Sequence, residues 1–238
     1  VYKRQAETCV RAVESAQQLV ERMRGLETGE LTVLAGTAVA AYMLPSSLAL
    51  FHVRYPAVEI RMTRHNAESA MRALERGEGD VALVRGSAAA FTRSFAPNFV
   101  VEALMQDETM LVVPPSHPLA RRREIAPKDL DGLGVVEREA ASTTQALVRK
   151  VADAAGIRFT TTFQTVGVEA LKEAVLQGFG AGFLTRLAVR REVEAGTLKA
   201  IRIRAPKLKQ HIIIVYPKPG QCSPAVPRFV EVIREASR

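Results

Sequence analysis

The sequence predicts an α/β protein of two doubly wound α/β subdomains preceded by a long N-terminal helix. Three observations carry this. Apolar residues recur at steps of four and three from Tyr2 to Met23, short apolar strands alternate with helices from Glu30 onward, and that alternation returns after an irregular stretch.

In the first segment, Tyr2, Ala6, Cys9, Val13, Ala16, Val20 and Met23 form an a/d seam, with Lys3, Arg4, Glu7, Arg11, Glu14, Glu21, Arg22 and Arg24 on the other faces. At 1.5 Å per residue such a helix is about 33 Å long. Gly25 and Gly29 bracket its end. Regular a/d positions with small side chains suit close pairing, so residues 1–28 are expected to form a dimerisation helix with Ala6, Cys9, Val13, Ala16, Val20 and Met23 in its seam. The alternative is an amphipathic helix lying on its own domain.

The first lobe begins with the strand Leu31-Thr32-Val33-Leu34, followed by a helix over about Tyr42 to Arg54. A strand follows at Val58 to Met62, then a helix over Ala67 to Arg76 stopped by Gly77, and a strand at Asp80 to Val84. Right-handed crossovers place these three strands in one parallel sheet. The second lobe offers strands at Thr109 to Val113 and Val135-Val136-Glu137, and a helix from Ser142 to Ala155 closed by Gly156. After it come a strand near Phe159 to Gln164, a helix over Glu169 to Gln177 and the strand Gly182-Phe183-Leu184. A short helix near Leu187 to Glu194, strands at Leu198 to Ile203 and His211 to Tyr216, and a helix from about Pro224 to Ala236 complete the chain. The expected division is 29–104 plus 219–238 for one subdomain and 105–218 for the other, with a cleft between them.

Composition removes other classes. The 238 residues are 47% hydrophobic, which suits a globular chain and excludes collagen-like and low-complexity readings. No apolar run reaches the roughly 18 to 20 residues of a membrane span, and no signal-peptide order is seen, so a cytoplasmic protein without membrane contact is expected. Cys9 and Cys222 are far apart and in no ligand-like spacing, so neither a disulfide nor a metal site is expected. A formal net charge of +8 is compatible with nucleic acid, anionic ligands or a basic surface. The densest run, Arg121-Arg122-Arg123, has no interleaved aromatics and reads as solvated.

In an open parallel sheet, ligands settle beyond the carboxyl ends of the strands, where helix starts offer free N–H groups. That rule selects Gly36-Thr37-Ala38 after the first strand, Asn66 after the second and Arg85-Gly86 after the third. In the second lobe it selects Ser142-Thr143-Thr144 and Thr165-Val166-Gly167. Hydroxyls and amides at these positions suit a small anion, with Arg85 to neutralise it. For each of these residues the other reading is a helix cap, and the two roles are compatible.

Catalytic patterns are missing. Gly178-Phe179-Gly180-Ala181-Gly182 leaves a helix and enters a strand, the reverse of a phosphate loop, and reads as a helix C-cap with a tight turn. His52, His65, His117 and His211 form no i,i+4 pair, and neither a nucleophile elbow nor a Walker sequence is present. No enzyme activity, metal or cofactor is expected.

Several segments together resemble the effector-binding domain of LysR-type bacterial transcriptional regulators. They are Gly29-Glu30-Leu31-Thr32-Val33, Leu44-Pro45, Phe51, Tyr55-Pro56-Ala57-Val58, and Leu74 to Asp80. Leu111-Val112-Val113-Pro114, His117-Pro118-Leu119-Ala120 and Gly178 to Leu184 continue the series in the same order. The resemblance implies two subdomains of the type 2 periplasmic-binding-protein kind, a linker helix for dimerisation and a small-molecule inducer in the cleft. It carries inducer contacts onto Thr37, Asn66, Arg85 and Ser142-Thr143-Thr144. It further implies a homodimer or homotetramer that reaches promoter DNA through an N-terminal winged helix-turn-helix.

Two departures stand out. Thr185 occupies a position where the family usually has Pro, and Val1 already lies at or within the linker helix, so the chain is expected to be a fragment. The rival reading is a solute-binding protein of a transport system with the same bilobed fold. An enzyme on that fold is a third.

Overall fold

The computed structural model describes residues 28–236, so the heptad positions Ala6, Cys9, Val13, Ala16, Val20 and Met23 lie outside the described residues. The chain forms two compact units. The first comprises residues 28–84, 91–104 and 214–236, and the second comprises Arg85–Ala90 and Met105–Ile213.

In the first unit, β1 (Gly29–Ala35) lies between β2 (Val58–Arg64) and β3 (Val81–Gly86), parallel to both. All four residues Val81 to Val84 are buried, as expected for a strand covered on both faces. β2 is largely exposed after Val58. The first connection is two helices, α1 (Thr37–Tyr42) and α2 (Leu44–Arg54), where the sequence suggested one starting near Tyr42. Pro45 is the reason for the break: it has no N–H with which to continue the ladder across Met43. α3 (Ala67–Glu75) returns the chain to β3 and buries Ala70, Met71, Ala73 and Leu74 at helical spacing.

The C-terminal helix α8 (Ala225–Ala236) buries Val226, Phe229, Val230 and Ile233 along one face. Phe229 meets Phe51 of α2 edge-on at a centroid distance of 5.6 Å, and both rings are fully buried. Burial of an aromatic side chain of this kind contributes about 1.5 to 3 kcal/mol.

Two elements were not anticipated. α4 (Ala88–Phe95) buries none of its residues, and its Phe91 and Phe95, one turn apart, meet each other at a centroid distance of 5.6 Å. β4 (Phe99–Val113) is 15 residues long, where only Thr109 to Val113 read as strand. Glu102, Gln106, Asp107 and Glu108 break the apolar pattern because several of them are ion-paired: Glu102 accepts from Arg234 of α8 at 2.6 Å, and Glu108 from Arg202 at 3.1 Å.

In the second unit, β4 runs antiparallel to β8 (Gly182–Thr185) and to β9 (Lys199–Ile203), and β9 is parallel to β5 (Glu124–Ile125). β6 (Gly134–Arg138) pairs in parallel with β7 (Thr160–Thr165), and on its other side meets Ala181, just before β8, in a parallel bridge. The chain path of β1, β2 and β3 is thus repeated by β6, β7 and β8. The helices are α5 (Thr143–Ala154), α6 (Val168–Leu176) and α7 (Arg186–Glu194), and β10 (Lys209–Pro217) follows. The core gathers Leu111, Val113, Ile125, Val135, Val148, Phe183, Ile201 and Ile203. The Gly178-Phe179-Gly180 stretch is the helix cap and turn that its polarity suggested, with φ of +83° at Gly178 and +146° at Gly180.

Candidate functional site

At the strand ends of the first unit, β1 leads through Gly36 into α1. Gly36 donates its N–H to the Leu83 carbonyl at 2.9 Å and supplies no side-chain cap, so the first turn containing Thr37 and Ala38, both half-buried, is capped by backbone alone. After β2, Asn66 is exposed and forms a capping box: its Oδ1 accepts from Ser69 N–H at 2.8 Å, and its own N–H donates to Ser69 Oγ at 3.1 Å. His65 faces Thr63 Oγ1 at 3.1 Å.

The second unit is different in kind. Arg85, at the end of β3, has a side chain only 10% exposed and is surrounded by polar groups of its own unit. Its Nη1 donates to Thr144 Oγ1 and its Nη2 to Thr109 Oγ1, each at 3.3 Å. Its Nε lies 3.2 Å from Asp107 Oδ2, close enough for an ion pair but not aligned as a hydrogen bond. Asp107 also accepts from the Leu187 N–H at the start of α7, at 3.2 Å. Burial pushes the Asp107 carboxyl up, more than Arg85, Leu187 and Thr185 pull it down. Burial likewise lowers Arg85, which stays protonated at any working pH.

Arg85 is therefore a cation that already has a carboxylate partner. Thr185 caps α7 by accepting from Ala188 N–H at 3.2 Å, a bond that proline in its place could not make.

Ser142 is buried and caps α5, accepting from Gln145 N–H at 3.3 Å, with Thr143 exposed and Thr144 buried beside it. At the carboxyl end of β6, the buried Glu137 accepts from Gln145 Nε2 at 3.0 Å, from Thr161 Oγ1 at 2.9 Å and from Arg149. Thr165 contributes its carbonyl to Glu139 N–H at 3.0 Å. The Glu139 carboxylate takes the Gly167 N–H at the start of α6, at 3.1 Å, so this helix start is filled by the chain's own anion. Burial alone would raise Glu139, but hydrogen bonds from Arg138 and Gly167 outweigh it and hold the carboxyl below its ordinary value.

Of the expected contacts, the second unit brings Arg85 and Thr144 together directly, with Ser142 and Thr143 in the same turn. Sequence reasoning missed Asp107, Thr109 and Gln145 as members of this cluster. The available signal was a run of acidic and hydroxyl residues, Asp107-Glu108-Thr109, leading into an apolar strand. Among the described residues no group of three or more His, Cys, Asp or Glu side chains is placed to hold a metal ion, and no helix is long and apolar enough to cross a membrane.

Two α/β units of parallel strands joined by helices are the architecture of the type 2 periplasmic-binding-protein-like class. The family described as LysR substrate binding domain matches residues 24–238, and the chain belongs to it. Among curated relatives, a probable RuBisCO transcriptional regulator of Cyanidioschyzon merolae is 26% identical over 89% of this chain and 70% of its own length. That of Cyanophora paradoxa is 28% identical over 87% and 64%. The chain thus spans about two thirds of the length of these relatives. Among solved structures, the CcmR regulatory domain of Synechocystis PCC6803 in complex with 2-PG shares the fold with a TM-score of 0.75 at 19% identity, covering 89% of this chain and 98% of that one. HinK, a LysR family transcriptional regulator from Pseudomonas aeruginosa, does so with a TM-score of 0.73 at 20% identity, covering 98% and 77%.

Proposed function

We propose that this chain is the effector-sensing and oligomerisation part of a LysR-type transcriptional regulator, and that a small anionic metabolite in the cleft between its lobes controls DNA binding and transcription. The observation that supports it most is the nearly buried guanidinium of Arg85, held by Thr144 at the start of α5 and by Thr109. A buried cation ringed by hydroxyls is costly to maintain for stability alone and suits an anion that shares it with Asp107. Thr37, Ala38 and Asn66 of the first unit, and Ser142, Thr143 and Thr165 of the second, complete the proposed contacts. The chain has no catalytic role in this reading and acts in the cytoplasm.

A thermal-shift screen of small carboxylates and phosphorylated carboxylates, with 2-PG among them, tests the reading. A ligand at 100 times its dissociation constant adds about 2.7 kcal/mol, or roughly 5 to 10 °C for a chain of this size. The solute-binding alternative is tested by the segment encoded upstream, where a helix-turn-helix supports a regulator and a signal peptide supports transport.

Assembly is proposed to run through the a/d residues of 1–28, giving a homodimer or homotetramer. Replacing Val13 and Val20 with Asp should dissociate it in light scattering, because the seam would then bury like charges. Promoter DNA would be reached through an N-terminal domain upstream of Val1. This chain alone should give no discrete promoter complex near physiological salt, since a +8 surface offers only salt-sensitive attraction to phosphates.

A further inference from the structure

Gln145 is 4% exposed, and its two amide ends have unequal fates. Nε2 donates to Glu137 Oε1 at 3.0 Å, whereas Oε1 is buried with no donor among the described residues. The orientation is forced. A carboxylate only accepts, so reversing the amide would set oxygen against oxygen. Glu137 cannot turn away, because Arg149 and Thr161 hold its other oxygen. Both of those partners lie toward the amino ends of the strands: Thr161 pairs in register with Val135, two residues before Glu137, and Arg149 is one turn further along α5. Gln145 stands with Thr144, which binds Arg85, in the first turn of α5, beyond the carboxyl end of β6 where Glu137 lies. An unmet buried acceptor costs more than the hydrogen bond it lacks, and native proteins rarely leave one without a purpose.

We infer that Gln145 reads a hydrogen-bond donor on the effector, which makes the ligand class small carboxylates bearing a hydroxyl group next to the carboxylate. This deepens the function proposed above and rests on its placement of the effector at Arg85 and Thr144. The carboxylate meets the guanidinium and the Thr144 hydroxyl, and the substituent on the neighbouring carbon donates to Gln145 Oε1. Glu137 acts as a positioning residue by fixing which end of the amide faces the ligand. A site built to receive a hydroxyl discriminates strongly against the analogue that lacks it, because the acceptor is then left unpaired.

The test is calorimetric titration of the whole chain with matched pairs of equal charge: glycolate against acetate, lactate against propionate, and malate against succinate. The hydroxylated member should bind about tenfold tighter or more in at least one pair. Gln145→Met, of similar length but without polar atoms, should bring that ratio to within about twofold. Glu137→Gln gives a second, near-isosteric variant, in which the new amide can donate to Gln145 Oε1 and should also erase the ratio. Circular dichroism establishes that each variant is folded.

Equal binding of both members by the parent chain, or no binding of any pair, overturns the inference and leaves a trapped water as the partner of Oε1. A ratio that survives in both variants overturns it too. Arg85→Ala and Thr144→Ala separate the two readings. If they bind every acid as the parent does, the proposed site itself is wrong. If they abolish binding while the parent shows no preference, only the role of Gln145 fails.

Discussion

In the first unit β1 lies between two parallel strands and feeds a helix whose start is capped by backbone alone. In the second unit β6 occupies the same place, between β7 and the lead-in to β8, and its helix starts with a buried serine. The chain path is shared, but the polar groups are not. Around the strand ends of the first unit the described side-chain contacts are short-range, such as the cap of Asn66 with Ser69. In the second, Arg85, Asp107, Thr109, Glu137, Thr144 and Gln145 form two buried polar clusters drawn from distant parts of the chain. One fold can therefore be closed by local caps or by long-range polar contacts, and the latter keep charge out of water at a cost in stability.

The sharpest way to break this contrast is to remove one half of the buried ion pair. Asp107→Ala leaves the Arg85 charge buried without its carboxylate and should cost about 3 to 5 kcal/mol in urea unfolding. Arg61→Ala, which removes an exposed pair of the first unit with Glu59, should leave the unfolding midpoint where it was. Similar losses from both would mean that burial does not distinguish the two units.

A smaller effect is expected at Gly180. A Cβ there would lie 2.7 Å from the Gly134 carbonyl oxygen, on a backbone with φ of +146°, so Gly180→Ala should cost about 1 to 3 kcal/mol. At Gly29 a Cβ would have nothing within 4 Å, and Gly29→Ala should shift stability by less than about 0.5 kcal/mol.

Caps sharpen the comparison further. Asn66→Ala and Ser142→Ala should each lose about 1 kcal/mol of stability. Of the two, Ser142→Ala should lower effector affinity more, because Ser142 heads the turn that holds Thr144.

The smallest effect is a pH dependence at Glu139. Its carboxyl is held below the ordinary value when folded, so it stabilises the protein above the unfolded pKa, and that contribution is lost as pH falls through the folded value. The stability gap between the parent chain and Glu139→Gln should be present at neutral pH and close in acid. A gap that widened in acid would contradict the assignment.

Legibility followed residue type rather than burial alone. Val81 to Val84 read as a strand because all four are apolar and covered. β7 read as one although it is almost wholly exposed, because Thr and Phe suit extended backbone. α4, which buries nothing, offered only Phe91 and Phe95 one turn apart as a signal, and β4 before Thr109 was hidden by acidic residues whose partners, Arg85, Arg202 and Arg234, lie far along the chain. The same reason limited the site. Arg85, Ser142 and Thr144 follow from a rule about strand ends, which needs only local order. That Arg85 meets Thr109 and Thr144, 24 and 59 residues away, depends on the folded geometry and has no local signature.

The central claim is that the polar cluster of the second unit meets an anionic effector. Its most direct test is calorimetry of the parent chain, Thr144→Ala and Arg85→Ala with whichever acid raises the melting temperature most in the screen. We expect Thr144→Ala to weaken binding by about 1 to 3 kcal/mol without unfolding the chain, and Arg85→Ala to weaken it further for charged acids than for their neutral amides. Both variants binding as the parent does would contradict the claim and move the effector to another part of the molecule.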